Sequence, residues 1–302
     1  MKNNMRRLNF TRRLISAIFT AAVIIGSFYC PNRIIGEVGL VKIVTFNVKN
    51  RDPEIPWEER AEMLGYFVET YEPDVMGMQE VTMDGSEWIK YLPMAFNGDK
   101  YAFVGEARTE DPLYGLEATP VYYRKDKYEL LDSGTFWLNE SGIKGELGWD
   151  AAYPRICTYC LLRHRNTEEI FLFMNTHLDN KGREAREKGF ELIIAKAKEL
   201  GADRYPLIIT GDMNTAENDE KGLYEKLLSF GDIGDVRHLA AETEGGVTFR
   251  SSKSGYPIDY IFVSKKNTRP MKYSILREAF EGKYVSDHFG IYAEIRLTDT
   301  AE

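Results

Sequence analysis

The sequence has only three cysteines in 302 residues, which is too few for a disulfide framework. Cys157 and Cys160 form a C-x-x-C pair, but no second pair is present to complete a zinc site. The pair lies in "RICTYCLLRH", a run typical of a strand, where residues three apart point to opposite faces and lie roughly 10 Å apart. That distance excludes a disulfide without backbone movement, so both cysteines are predicted to be structural.

The chain also lacks the positive charge expected of a general polyanion-binding protein. Six of its 39 basic residues and none of its 47 acidic residues fall in positions 1–36, which leaves the rest with a formal charge of −14. Non-specific affinity for nucleic acid comes from Lys and Arg contacts to phosphates. The composition therefore disfavours a general nucleic-acid binder, although it does not exclude a small phosphate ester as a ligand.

The N-terminus contains the longest hydrophobic run. A basic segment is followed by residues 14–30, "LISAIFTAAVIIGSFYC", which carry no charge. This order predicts a secretory signal peptide over residues 1–36. The run is 17 residues long, just short of a membrane span, so an uncleaved anchor through residues 14–30 is the alternative. We expect an exported protein that is secreted, periplasmic or attached to the cell surface.

Beyond position 40 the sequence has no repeat, low-complexity stretch or linker, and residues 40–298 are predicted to form one domain. Strand-like runs alternate with helical patterns around a β-rich middle, which predicts two packed sheets with helices outside. "TPVYYRKDKYELLDSGTFWL" is expected to be a β-hairpin around "RKDK". Its aromatic residues, in Val121–Tyr123, Phe136 and Trp137, could form a base-stacking platform, but core packing is favoured.

Polar residues recur at the ends of the apolar strands. They are Asn47, Glu80, His177, Asp212, Asn214, Asp259, Asp287 and His288. Any one of them could belong to a turn or a helix cap. The whole set in one domain supplies what hydrolysis of a phosphate ester requires: oxygen ligands for Mg²⁺ or Mn²⁺, a base for water, donors to phosphoryl oxygens, and a carboxylate behind a histidine.

The motifs that contain these residues resemble those of the endonuclease/exonuclease/phosphatase superfamily. In order they are "TFNV", "GMQEV", "NTHLD", "TGDMN", "IDYIFVS" and "SDHFGI". The resemblance runs from about residue 40 to residue 297 and is strongest to bacterial members nearest the deadenylase/nocturnin group. It implies a four-layer α/β/β/α sandwich of the deoxyribonuclease I type, with the site at the strand ends of the paired sheets.

The resemblance also implies a role for each matching residue. Glu80 would be the principal ligand of Mg²⁺ or Mn²⁺, with Asn47 beside it and Asp287 supporting the metal. Asp212 would position the attacking water, and Asn214 would hold a phosphate oxygen. The remaining catalytic group consists of His288, which would contact the phosphate and transfer protons, Asp259 behind it, and His177 as a second donor.

Three further residues are weaker candidates for substrate binding. Glu117 and Arg155 lie where the bacterial relatives carry similar residues, and an arginine suits a phosphate as well as a structural ion pair. Asn180 stands where relatives often have a second histidine.

Three functions remain open, and the first is favoured by the resemblance to the nocturnin group. It is a metal-dependent phosphodiesterase that acts on nucleic acid or nucleotides, in a nuclease-like manner. The second is the same chemistry on a phosphorylated small molecule or lipid headgroup, such as an inositol phosphate or sphingomyelin, as in phosphatases and phospholipase C-type enzymes. The third is a non-catalytic binding module on the same scaffold. Catalysis is favoured because none of the metal or proton-transfer residues is missing, and no obligate protein partner is implied.

Overall fold

The structure, a computed structural model, describes residues 39–85, 88–219 and 221–298. Its strands are β1 (Leu40–Asn47), β2 (Val75–Gln79), β3 (Val81–Thr82), β4 (Tyr101–Val104), β5 (Glu117–Ala118), β6 (Val121–Arg124), β7 (Tyr128–Trp137), β8 (Ile156–His164), β9 (Ile170–His177), β10 (Leu207–Asp212), β11 (Ile233–Asp235), β12 (Glu242–Glu244), β13 (Asp259–Ser264), β14 (Thr268–Leu276) and β15 (Gly290–Leu297). Its helices are α1 (Trp57–Tyr71), α2 (Trp88–Ala95), α3 (Arg183–Glu199), α4 (Leu223–Ser229) and α5 (Val236–Leu239).

Two large mixed sheets form the middle of the molecule. The first has the strand order β12-β14-β15-β1-β2-β6-β4, and the second has the order β11-β13-β10-β9-β8-β7. In the first sheet, β1 is parallel to β2 and antiparallel to β15. In the second, β10 is parallel to β9 and antiparallel to β13. In the first sheet, β1 and β2 therefore end, and β15 begins, at one edge, and in the second sheet β9 and β10 end and β13 begins at one edge.

Alternating side chains of the central strands pack into two different layers. In β1, Ile43 faces a hydrophobic core between the sheets, whereas its neighbour Val44 packs into a separate outer core. In β10, Ile208 faces the inner core and Ile209 faces the other outer core. Because successive residues of a strand point to opposite faces, runs that are apolar at every position predict strands covered on both sides.

Helices cover the outer face of each sheet. On the first sheet, α1 contributes Leu64 and Phe67 to the outer core. On the second, α3 contributes Phe190 and Ile193, which are fully buried. The four-layer α/β/β/α arrangement is therefore confirmed.

The two sheets approach each other closely at Gly77 in β2. A Cβ at this position would lie 2.4 Å from Thr210 Oγ1 and 2.6 Å from Asn175 Oδ1, which are side-chain atoms of the second sheet. Only glycine allows this separation without displacement. The polar side chains of Thr210 and Asn175 lie between the two sheets here, immediately below the strand ends that carry the candidate site.

The predicted hairpin in the β-rich middle is wrong. β6 pairs with β2 and β4 in the first sheet, whereas β7 pairs with β8 in the second. The chain crosses between the sheets at the "RKDK" turn. The local pattern identified both strands, but it carries no information about which neighbour each strand pairs with.

The predicted core roles in this region are confirmed. Cys157 packs into the outer core of the second sheet and Cys160 into the core between the sheets, so the two thiols lie on opposite faces of β8. Tyr122 is buried and stacks on Phe96, with ring centroids 4.0 Å apart. Phe136 packs against the outer core of the second sheet.

The predicted signal peptide or anchor, residues 1–36 with the apolar run 14–30, lies outside the described residues. Among the helices of the described part of the chain, none is both long enough and apolar enough to span a bilayer.

Candidate active site

The predicted site residues meet at one edge of the paired sheets. Asn47 ends β1 and Glu80 directly follows β2, whereas His177 and Asp212 end β9 and β10 of the other sheet. Asp259 begins β13 at the same edge. The strand directions bring together residues that are as far as 212 positions apart in the sequence, since parallel strands end at one edge and their antiparallel neighbours begin there.

Glu80 is held in place by the first sheet. Its Oε1 accepts a hydrogen bond from Asn47 Nδ2 at 3.0 Å, and its Oε2 accepts one from the backbone N–H of Asn50 at 2.9 Å. Its φ is +61°, a left-handed conformation that non-glycine residues rarely adopt and that is frequent at functional sites. Burial, reinforced by the nearby charge of Glu117, raises the pKa of Glu80 above its ordinary value. A bound cation would offset this cost.

Asn47 lies beside Glu80, as predicted, but it presents its amide nitrogen to the site. Its Nδ2 donates to Glu80 and also to Asp212 Oδ2 at 3.0 Å, while its Oδ1 accepts from the backbone N–H of Lys49. The backbone N–H can only donate, which fixes which end of the amide carries the oxygen. Asn47 therefore joins the carboxylates of the two sheets as a donor.

His288 and Asp259 form a buried, hydrogen-bonded pair. His288 Nδ1 lies 2.9 Å from Asp259 Oδ2, which is the predicted contact behind the ring. Burial disfavours a charged imidazole, but the negative charge and hydrogen bond of Asp259 outweigh it and raise the pKa of His288 to about 10. The other ring nitrogen, Nε2, lies 3.8 Å from Asp212 Oδ2. A protonated His288 thus presents a positive N–H to the site.

Asp212 lies between the two histidines. Its Oδ2 is 3.6 Å from His177 Nε2 as well as 3.8 Å from His288 Nε2. Burial, followed by repulsion from Asp259, raises the pKa of Asp212 to about 7. A carboxylate with such a pKa is a better proton acceptor near neutral pH than an ordinary aspartate.

His177 has the opposite character to His288. Burial, followed by the positive charges of Arg155 and Arg108, lowers its pKa well below the ordinary value. It is therefore neutral and offers one N–H donor and one acceptor nitrogen. The two histidines of the site are held in different protonation states by their different neighbours.

Asn214 and Asp287 complete the predicted set. The backbone N–H of Asn214 donates to Asp212 Oδ1 at 2.9 Å, and its side-chain Nδ2 donates to Leu178 O at 3.0 Å. Its φ of +48° turns the chain sharply after β10. Asp287 is partly exposed and precedes His288 in the loop before β15. Both residues line the same cleft as Glu80.

This cleft has a volume of about 550 Å³ and also receives all three weaker candidates. Glu117 accepts from Asn50 Nδ2 at 2.7 Å and pairs with Arg108 at 3.0 Å. Arg155 pairs with Asp179 at 3.2 Å, and Asn180 is exposed at the cleft surface.

Several lining residues were not predicted. Asn50, Arg108, Tyr153 and Phe249 all line the cleft. The Phe249 ring lies 5.0 Å from the His288 ring, and the guanidinium of Arg108 lies 5.0 Å from the Tyr153 ring centroid. Three of these four lie in connecting segments without a motif. Only Asn50, three residues after Asn47, could have been suspected from the sequence.

The residues present fit a hard divalent cation. Four carboxylates line the cleft against two arginines, and carboxylate oxygen is the ligand that Mg²⁺ and Mn²⁺ prefer. Ligand atoms of Asp212, Asp259 and His288 also lie within 4.8 Å of one another. In the metal-free protein His288 Nδ1 is occupied by Asp259 at 2.9 Å, so this second group is also arranged for proton transfer, whereas Glu80 and Asp287 offer carboxylates at the cleft surface.

The chain belongs to the endonuclease/exonuclease/phosphatase family, whose model matches residues 44–288. It is 33% identical to a crystal structure of a family member from Bacteroides vulgatus, with a TM-score of 0.76, and the match covers 85% of this chain and 99% of that one. A mannosyl-6-phosphatase from Bacteroides thetaiotaomicron is 27% identical, with a TM-score of 0.71 and coverage of 84% and 99%.

Among curated proteins, the RNA exonuclease NGL1 of Saccharomyces cerevisiae is 20% identical over 286 residues, which span 76% of this chain and 77% of that protein. Family membership and the fold predicted from the motifs are therefore confirmed. The family consists of hydrolases that act on phosphoester bonds.

Proposed function

We propose that the protein is a divalent-metal-dependent hydrolase that cleaves phosphate esters of small molecules with an activated water. One observation carries the proposal. Asp212 Oδ2, on a carboxylate whose pKa is raised to about 7, lies 3.6 Å from neutral His177 and 3.8 Å from charged His288 in the cleft that also contains Glu80. A proton acceptor, a neutral donor and a cationic donor thus converge on one point.

Each residue has a role that follows from its contacts. Asp212 accepts the proton of the attacking water, because its pKa is matched to neutral pH. The imidazolium of His288, held by Asp259, stabilises the charge that builds on the phosphoryl oxygens. His177, whose Nε2 lies 3.6 Å from Asp212 Oδ2, offers a neutral N–H donor to the phosphoryl group. Asn214 contributes a further polar group at the mouth of β10.

Glu80 and Asp287 would hold Mg²⁺ or Mn²⁺, while Asn47 keeps Glu80 oriented. When bound, such an ion polarises the phosphoryl group as a Lewis acid. Asn47 and Asn50 occupy one lone pair on each Glu80 oxygen, which would leave the second lone pair of each oxygen available to a cation.

The charge of the cleft favours a small substrate. Four acids and two arginines line it, and both arginines are already paired with acids, Arg108 with Glu117 and Arg155 with Asp179. A polynucleotide gains affinity from rows of Lys and Arg that neutralise successive phosphates. The similar mannosyl-6-phosphatase supports a phosphorylated small molecule such as a sugar phosphate.

A nuclease-like activity is the second candidate. The resemblance of the sequence to the nocturnin group favours it, and the similarity to an RNA exonuclease supports it. Exposed aromatic and apolar residues beside the cleft, Leu113 and Tyr153, offer contacts to an unpaired base.

The test is hydrolysis by the full chain, purified in mild detergent because of residues 14–30 and stripped of metal. A chromogenic phosphomonoester, a phosphodiester and a short single-stranded RNA are compared in Mg²⁺, Mn²⁺ and EDTA. We expect metal-dependent hydrolysis of the small esters that is lost in EDTA and in Asp212→Ala. Cleavage of RNA alone would support the nuclease, and silence on all three substrates would overturn the proposal.

We also propose export, on the strength of the basic-then-apolar order of residues 1–36. Fractionation of cells that express the full chain would show it outside the cytoplasm. Full recovery in the cytoplasmic fraction would contradict export.

A further inference from the structure

Arg155 is a buried arginine that is anchored through only one of its nitrogens. It precedes β8, is 6% exposed, and donates from Nε to Asp179 Oδ2 at 3.2 Å. Asp179 is itself fixed, because its Oδ1 accepts from the backbone N–H groups of Lys181 and Gly182 at 2.9 and 2.7 Å. The guanidinium is therefore held rigidly at its inner edge.

The two terminal nitrogens of Arg155 are not engaged by Asp179. Neither Nη1 nor Nη2 has a hydrogen-bond partner within residues 39–85, 88–219 and 221–298, and neither is sealed from solvent. Arg155 lines the catalytic cleft, so a ligand bound there lies beside this residue. An arginine that is only 6% exposed and uses one of its five N–H donors is costly unless a ligand completes its hydrogen bonds.

Arg108, the other arginine of the cleft, is different. Its Nη1 pairs with Glu117 at 3.0 Å, and its Nη2 donates to the carbonyl oxygen of Tyr114. Its terminal nitrogens are thus used by the protein, and it supports the 112–115 wall of the cleft. Only Arg155 of the two presents an open fork to the cleft.

Arg155 is also close to the reacting centre. His177 lies in the same cleft, and Arg155 is the largest charged contributor to the lowered pKa of His177. His177 Nε2 is in turn 3.6 Å from Asp212 Oδ2. An anionic oxygen of a phosphoryl group that contacts His177 therefore lies near the fork.

We propose that the two terminal nitrogens of Arg155 donate to the additional anionic oxygen of a phosphomonoester, so that the site prefers monoesters to diesters. The inference rests on the proposed function and narrows its substrate class. A monoester carries about −1.5 to −2 charges near neutral pH and three terminal oxygens, because its second pKa is about 6. A diester has a single charge and two terminal oxygens, so it has one acceptor fewer for the fork. The planar guanidinium matches phosphate oxygens in a two-bond geometry that lysine cannot reproduce.

The test compares 4-nitrophenyl phosphate with methyl 4-nitrophenyl phosphate, which share a leaving group. For the metal-loaded full chain, we expect Arg155→Met to lower kcat/KM on the monoester by about 10- to 100-fold, the range of a charge-assisted contact, and on the diester by no more than about 3-fold. Arg155→Lys, which can keep the ion pair with Asp179, should lose most of the same preference while it retains the fold. Arg108→Met is the matched control, and it should affect both substrates equally.

A second readout does not require turnover. Calorimetric binding of inorganic phosphate to the metal-loaded protein should weaken in both Arg155 variants and persist in Arg108→Met. Equal losses on monoester and diester, or unchanged phosphate binding in Arg155→Lys, would overturn this inference and leave the hydrolase intact. If the parent protein cleaves neither ester, the proposed function fails and the inference fails with it.

Discussion

Replacement of Asn175 by alanine is expected to slow turnover without weakening metal binding, because this side chain joins the two sheets directly beneath the site. Asn175 is fully buried in β9, two residues before His177. Its Nδ2 donates to the carbonyl oxygens of Met78 and Pro120, at 2.8 and 3.1 Å. Its Oδ1 accepts from Gln79 Nε2 at 2.7 Å and from Thr210 Oγ1 at 3.0 Å.

The cost in stability follows from these four bonds. Three of the partner groups keep another contact: Gln79 Nε2 with Thr45, Thr210 Oγ1 with the carbonyl of Met174, and the carbonyl of Pro120 with the N–H of Met78. Each of these three losses costs about 1 kcal/mol, and leaving the Met78 carbonyl unpaired adds ~1–3 kcal/mol. The sum, about 4–6 kcal/mol, is a large share of a typical domain stability of ~5–15 kcal/mol.

The effect on turnover arises because Asn175 joins the two sheets that carry different parts of the site. Glu80 and Asn47 belong to the first sheet, whereas His177 and Asp212 belong to the second. Loss of the link lets the sheets shift, and a displacement of about 1 Å costs on the order of 100-fold in rate. The proposed metal ligands belong to the first sheet and would shift together, and the contacts of Glu80 are unchanged. The affinity for Mn²⁺ is therefore expected to stay within about 3-fold of that of the parent protein.

The assay pairs kcat with Mn²⁺ binding and thermal unfolding, below the melting temperature of every variant. Leu162→Ala is the control, since it removes a fully buried side chain from the same inter-sheet core, at the end of β8 that lies opposite the site. Leu162→Ala should lower the free energy of unfolding by a similar ~2–5 kcal/mol and leave kcat nearly unchanged. An unchanged kcat in Asn175→Ala, or an equal fall in Leu162→Ala, would refute the reasoning.

The other predictions concern the proton-transfer set. Asp212→Asn or His288→Ala should lower kcat by about 100-fold or more with the fold retained, as expected for lost acid–base catalysis; full activity in steady-state assays of Asp212→Asn would remove that residue from the mechanism. In the metal-free protein, Asp259→Asn should lower the pKa of His288 from about 10 toward its ordinary value, which NMR titration of the ring would detect. Because a raised histidine pKa contributes stability at low pH that is lost as the pH rises through the folded-state pKa, the parent should lose this contribution through about pH 10, and Asp259→Asn should lack it. An unchanged His288 titration in the variant would contradict the ion pair.

Much of the site could be predicted because its residues occupy strand ends. An apolar strand that stops at "GDMN" or "NTHLD" places its polar residues at the sheet edge whatever the neighbouring strand is. The opposite protonation states of His177 and His288 could not be predicted in this way, because they depend on Arg155, Arg108 and Asp259, which are distant in sequence.

The other features that could not be predicted also depend on contacts between residues that are distant in sequence. β6 and β7 were recognisable as strands, but their partners are chosen by packing across the whole domain. Arg108 gave no signal because a buried arginine in a connecting segment follows no periodic pattern. The donor role of Asn47 became visible only once Asp212 was placed on its other side.

The most direct test of the account is Mn²⁺ binding, by calorimetry, to the metal-free parent protein and to Glu80→Gln, with Glu72→Gln as an exposed control. The account predicts that Glu80→Gln weakens Mn²⁺ binding by about 10- to 100-fold or more, as expected for loss of a ligand or its support, and that its ester hydrolysis recovers in part at high Mn²⁺. Glu72→Gln should behave as the parent does. Equal Mn²⁺ affinity and equal metal dependence of hydrolysis in the parent and Glu80→Gln would contradict the assignment of Glu80, and with it the proposed metal-dependent mechanism.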